Sequence, residues 1–324
     1  MQLELKRIIA ISFYAFTWLH GIAQQIPTYS QYTENLFLIN PAVAGSEEQT
    51  IYSLNNRLQW AGMRDGPKTQ SFCAQGSLGS YFLNPLKQKT LNTGTGKKPF
   101  VGLGGIIYND KNVLLSQTGA QLAYAYHIPF RGSNKLSLGL SLSAFQSRID
   151  KASVYTKEYE PLLETARPAY IIDASVGGMW SSRYYFVALS ALQVSQSLLN
   201  FGDRMWDKYQ KFRHYHLVAG YNFEINTNYT ISPSVLLRST DRITSTFQSD
   251  ITCKVTYMNT FWGGASYRTN RETILFVGIY QNKMYFTYSF DFPVKPYGRP
   301  SFGSHELTMS LKMGRKSKNR GIAR

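Results

Sequence analysis

Between Lys135 and Phe145 the chain reads KLSLGLSLSAF. Leu136, Leu138, Leu140 and Leu142 share one parity, and Ser137, Gly139, Ser141 and Ser143 share the other. Successive side chains alternate in this way only on an extended strand, so the stretch is a strand with one apolar and one small polar face. Met284 to Asp291 repeats the pattern, setting Met284, Phe286, Tyr288 and Phe290 against Tyr285, Thr287, Ser289 and Asp291. Leu307, Met309 and Leu311 alternate likewise with Glu306, Thr308, Ser310 and Lys312. An amphipathic helix would return its apolar residues at three and four, which none of these segments does.

The same reading predicts about fourteen strands, at 50–60, 68–78, 100–109, 114–128, 134–147, 170–181, 183–193, 212–224, 228–239, 246–257, 260–268, 272–281, 283–291 and 303–312. Most are long enough for tilted strands crossing a bilayer, which need ~9–11 residues. Strands of soluble proteins are usually about 5–6 residues long. Charged residues make up 17% of the chain, below the ~25% usual in soluble proteins. Aromatics make up 15%, with 23 tyrosines. The expected fold class is therefore all-β, a closed transmembrane antiparallel β-barrel of about fourteen strands, because an even number closes without leaving an edge in lipid. Parity places Cys73 inward with Ser71, Gln75 and Ser77, and Cys253 toward lipid with Ile251, Val255 and Tyr257. Opposite faces of separate strands do not bring Cβ atoms together, so two free thiols are expected.

Before the strands, Lys6 and Arg7 precede an apolar run, Ile8 to Leu19, and the small residues of Gly21-Ile22-Ala23. That is the pattern of a leader cleaved after Ala23. The expected organisation is a signal peptide at 1–23, an irregular periplasmic or lumenal segment at 24–49, the barrel at 50–313 and a basic tail at 314–324. With the amino terminus in the periplasm, the outer connections 61–67, 148–169, 194–211 and 292–302 are mostly long. The inner ones at 129–133, 181–183, 225–228, 258–259 and 282 are short, as outer-membrane barrels have them. The inner connection 79–99 is an exception, with Asn84-Pro85 and the run NTGTGKK. The net charge of +16 is dispersed, apart from Lys97-Lys98 and a terminal cluster from Lys312 to Arg324. No nucleic-acid-binding module frames it, so nucleic acid is not an expected partner.

Signatures of chemistry are weak. His214-x-His216 puts two imidazoles on one inward face, but structural zinc takes four ligands and catalytic zinc three. No G-x-S-x-G is present, and the Gly102-Leu103-Gly104-Gly105 run opens no phosphate-binding helix. Those glycines fit better as relief of crowding inside the barrel or as room for a plug. Neither an enzyme nor a cofactor is expected.

The stretch SQYTENLFLINPAVAGS, Ser30 to Ser46, suits neither helix nor strand, since Asn40-Pro41 biases the chain away from the helical region. It carries Gln31-Tyr32, Asn35, Asn40-Pro41-Ala42 and Ala44-Gly45, and is followed by Arg57-x-Gln59-Trp60-x-Gly62 and Gly66-Pro67-x-Thr69. Gly303-Ser304-His305-Glu306-Leu307 opens the last strand. Together these blocks closely resemble the PorP/SprF family, outer-membrane proteins of the type IX secretion and gliding systems of Bacteroidetes. The resemblance implies an outer-membrane barrel surrounded by lipid that recruits proteins and carries out no reaction. Its implied partners are a periplasmic peptidoglycan-binding lipoprotein (PorE-like) and secreted adhesins, held by their C-terminal domains. It also marks Gln31, Tyr32, Phe37, Asn40, Pro41, Gly45, Arg57, Gln59, Trp60, Gly62, Pro67 and Thr69 as candidate partner-binding residues.

Ser30 to Ser46 is expected to pack beneath or inside the barrel, burying Leu36, Phe37, Leu38 and Ile39 on the barrel or on a partner. On the first strand Arg57 and Gln59 are expected to face the lumen and Leu58 and Trp60 the lipid. The alternative function is a general diffusion porin, which needs an open lumen lined by charge. The chain departs from common barrels at its end: the last strand finishes near Met313 without a terminal aromatic, and a basic tail suited to anionic headgroups or a partner follows.

Overall fold

Alternation gives each strand a lipid face and an inward face, and pairing then continues until no edge is left. The structure, a computed structural model, describes residues 29–47, 49–63, 65–79, 98–112, 115–149, 167–195, 198–200, 208–210, 212–241, 247–269, 272–293 and 302–314. The expected leader, most of the long 79–99, 148–169 and 194–211 connections, and the tail beyond residue 314 lie outside these residues. The first strands are β1 (Thr50–Leu58), β2 (Lys68–Gly79), β3 (Phe100–Lys111), β4 (Leu115–Pro129), β5 (Lys135–Ile149), β6 (Ala169–Ser181) and β7 (Tyr185–Leu192). A short side ladder, β8 (Leu198–Asn200) with β9 (Lys208–Gln210), precedes β10 (His214–Tyr221) and the two-residue β11 (Phe223–Glu224). The rest are β12 (Tyr229–Thr240), β13 (Gln248–Tyr257), β14 (Phe261–Arg268), β15 (Glu272–Gln281), β16 (Met284–Pro293) and β17 (Ser304–Met313).

Apart from the side ladder and β11, these form a closed antiparallel barrel of 14 strands. The ring closes where β1 meets β17, from Thr50 opposite Met313 to Leu58 opposite His305. Across the ring, β10 pairs directly with β12. The end carrying Thr50 and Met313 also carries the short turns, which outer-membrane barrels turn toward the periplasm, and is taken as the inner end. Asn282 and Lys283 make one of those turns with φ of 51° and 71°, the left-handed pair that matches strand twist in a tight hairpin.

Leu138, Leu140 and Leu142 are at least half exposed, toward lipid, and Ser137 and Ser141 are buried inside. Cys73 is buried, Cys253 is exposed, and both are free thiols. One expectation fails at the end of β1, which stops at Leu58, two residues short. Trp60 has φ of 52°, and a left-handed residue ends the two-residue alternation. Gln59 and Trp60 therefore belong to the outer turn and do not continue the faces of Arg57 and Leu58. The Gln59 backbone N–H donates to the Pro67 carbonyl at 2.8 Å, closing that turn.

Candidate functional site

The interior of the barrel is mostly polar, and its largest apolar contribution comes from residues 29–47, which run through it as a strap. Tyr29, Tyr32, Phe37, Ile39, Ala42, Val43 and Ala44 are all buried there. Leu36 and Leu38 are half-buried. The local sequence keeps the strap out of the wall. Pro41 starts a short 3-10 turn, Pro41–Val43, and the Asn40 side chain accepts from the Ala42 N–H at 2.9 Å. A second such turn, Leu36–Leu38, precedes it. Two short turns, one capped by Asn40, and a proline leave no backbone run long enough to join a ladder.

The strap runs from the outer half of the lumen to the inner rim. At its outer end, Ser30 donates its N–H to Glu306 Oε2 at 2.8 Å and its hydroxyl to Asp291 Oδ2 at 2.6 Å. Arg57 donates to Ser30 Oγ and pairs with Asp291 at 2.7 Å and Glu306 at 2.9 Å. Gln31 Nε2 reaches the Glu306 carbonyl at 2.9 Å. A second cluster lies beside it, where Asp250 binds Arg238 at 2.8 Å and Arg268 at 3.1 Å, and Arg268 also reaches Glu272 at 2.8 Å. Each buried guanidinium thus faces carboxylates from neighbouring strands, the condition under which such charges are tolerated away from water.

The middle of the strap touches opposite sides of the ring. Tyr32 shares its hydroxyl with Thr252 at 3.0 Å and Ser234 at 3.2 Å. Asn35 Nδ2 donates to Cys73 Sγ at 3.1 Å. Ser190 donates to the Ile39 carbonyl at 2.6 Å, and Asn40 Nδ2 to the Leu189 carbonyl at 3.0 Å. Phe37 rests on Gly104, where any Cβ would meet its ring. Gly102 makes the same allowance for the Ala44 carbonyl, Gly139 for Ala42 and Gly177 for Asn40. The wall is therefore shaped to the strap by the absence of side chains.

At the inner rim the His127 Nε2–H donates to the Ala44 carbonyl at 2.9 Å, which leaves Nδ1 to accept from Ser137 at 2.7 Å. Gly45, at φ 61°, donates its N–H to Gln75 at 3.2 Å. Lys135 donates to the Ser46 carbonyl at 2.7 Å, Lys312 pairs with Glu47 at 2.8 Å, and Lys254 pairs with Glu34 at 3.0 Å.

Of the residues marked by the sequence blocks, Gln31, Tyr32, Phe37, Asn40, Pro41 and Gly45 all lie in the strap, and Arg57 ties its outer end. Thr69 is buried on β2, donating to Asp110 at 2.6 Å. Gln59, Trp60, Gly62 and Pro67 are set apart in the outer turn. That turn docks on the start of β17, through Ala61 N–H to the Gly303 carbonyl and Phe302 N–H to the Ala61 carbonyl, both 2.8 Å. Gly62, at φ 85°, lies against the Phe302 ring. The blocks around residues 57–69 and 303–307 therefore build one structure, the outer end of the closing seam. Sequence reasoning missed Asp291, Asp250, Arg268 and His127. Parity set Asp291 on the polar face of its strand, and only the ring's closure brings these residues round the strap. His214 and His216 are buried and inward, and among the described residues no group of three or more His, Cys, Asp or Glu could hold a metal ion.

The profile of a family described as "Type IX secretion system membrane protein PorP/SprF" matches residues 21–311. No curated protein matches the chain. Among solved structures it is similar to the CymD monoaromatic hydrocarbon channel, at 10% identity and a TM-score of 0.47, over 91% of this chain and 94% of that one. The Ralstonia pickettii toluene transporter TbuX also gives 10% and 0.47, over 85% and 92%. The translocator domain of the Neisseria meningitidis autotransporter NalP gives 9% and 0.36, over 97% and 95%.

Proposed function

Because the chain belongs to the PorP/SprF family of type IX secretion system membrane proteins, we propose that it serves as a non-catalytic docking platform in the outer membrane. Its partners in this reading are secreted adhesins held by their C-terminal domains, a periplasmic peptidoglycan-binding lipoprotein (PorE-like), or both. The observation that carries the reading is the strap seated in the lumen. A diffusion porin works through an open interior, and here the strap is bonded to the wall on opposite sides. What remains for partners is the surface at the two rims.

The family-motif residues divide between two duties in this role. Gln31, Tyr32, Phe37, Asn40, Pro41, Gly45 and Arg57 hold the strap, and Thr69 steadies the wall beside it. Gln59, Trp60, Gly62 and Pro67 shape the outer turn that a partner meets. The test is mild-detergent purification of the tagged protein from its native outer membrane after brief cross-linking, with identification of the proteins that co-elute. Secreted proteins sharing one C-terminal domain, or a single periplasmic lipoprotein, are the expected companions. Recovery of lipid alone, or of the same proteins with an unrelated barrel, would sink the proposal.

A further inference from the structure

We infer that the barrel is a pore held shut by its own strap, and that lifting the strap from the lumen lets ions cross. The wall does not depend on the strap for its ladder. Every wall strand pairs with its neighbours all the way round, through β1 with β17 and β10 with β12. Among the described residues, the strap's backbone-to-backbone hydrogen bonds are all internal, such as Leu38 to Asn35 and Ala44 to Pro41. Its links to the wall pass through side chains.

The charges point the same way. Arg57 with Asp291 and Glu306, and Arg238 and Arg268 with Asp250, are pairs between wall strands and stay paired when the strap leaves. Among the ion pairs of the described residues, those of Lys254 with Glu34 and Lys312 with Glu47 are the ones that join wall to strap. Lys312 is half-buried and Lys254 is buried, and both lie beside the space that the strap would leave, so water can replace those partners. The surface uncovered is mixed: the hydroxyls of Ser137, Ser141, Ser190 and Thr252, which water can bond, alternate with apolar side chains such as Ile106, Met179, Phe186, Val218 and Leu236. An emptied lumen therefore hydrates, and a hydrated lumen in a closed barrel conducts.

The test is conductance of the folded full-length protein in planar lipid bilayers. In one variant residues 30–46 are deleted. In a second, Asn35→Cys places a thiol opposite Cys73, which the native Asn35 approaches at 3.1 Å. Phe37→Ala loosens the strap in that variant, and Cys253→Ser leaves a single possible pair. Wild-type protein is expected near baseline, with the folded deletion variant at least tenfold above it. The loosened variant should open when reduced and close at least tenfold when oxidised. A heat-modifiable deletion variant conducting less than twice wild type would overturn the inference. Equal current in the oxidised and reduced states, zero included, would also overturn it. If the deletion variant does not fold, the disulfide pair alone decides.

Discussion

Arg57 is 2% exposed and lies between two carboxylates and the Ser30 hydroxyl, so its charge has protein partners in place of water. Arg57→Met would leave Asp291 and Glu306 buried without that cation, a loss of ~3–5 kcal/mol for breaking such a pair from one side. Adding Asp291→Asn and Glu306→Gln removes the stranded charges, so the triple variant should recover most of the loss. The readout is the temperature at which the folded band disappears on unboiled gels. If the triple variant is no more stable than the single one, the pairing is not what holds the residue. Gly104 gives a second contrast at this scale. Gly104→Leu drives a side chain into the Phe37 ring and should cost ~1–3 kcal/mol, whereas Gly105→Ala, which meets only Leu122 Cδ2 and the Gln121 carbonyl, each at 3.7 Å or more, should be close to silent. Equal effects in urea unfolding would mean that the glycine floor does not seat the strap. Residues at this scale were legible only as far as parity reaches. Cys73 and Cys253 were placed correctly because facing depends on parity alone. Trp60 was misplaced because a single positive φ leaves no mark in an alternating pattern. The pairing of Arg57 with Glu306, 249 positions away, follows from ring closure and cannot be read locally.

At the scale of elements, the fourteen predicted strands and the fourteen observed correspond, with ends differing by a few residues, since period two persists over spans far longer than a chance run. The strap was legible as an exception, a partly apolar segment with Asn-Pro that fits neither period. A place beneath or inside the barrel was expected of it, and it lies inside; the glycines that receive it were not legible beyond the suggestion that Gly102 to Gly105 make room for a plug. Phe37→Ser with Ile39→Ser tests the element as a unit. Each side chain gives up roughly 1.5–3 kcal/mol of burial, enough to unseat a segment held by side chains. The β1–β17 ladder contains neither residue, so the barrel should remain heat-modifiable. Partner recovery on purification should fall strongly if the docking surfaces depend on a seated strap. Full recovery with a folded barrel would confine the strap's work to the lumen.

For the whole molecule, closure predicts a β-rich circular dichroism spectrum in detergent, with folded and boiled forms migrating apart on gels. A helical spectrum would refute the architecture itself. Closure also gives the strap a direction. Its downstream end is tied to the inner rim by Lys135 and Lys312, and β1 begins there at Thr50. Its upstream end lies beside Glu306, in the outer half. A cord fastened at one mouth of a tube comes out straight only through that mouth. Through the other it has to double back along its own length. The strap's travel is therefore vectorial. A periplasmic agent can draw it free by pulling, and one at the cell surface can only press it further home.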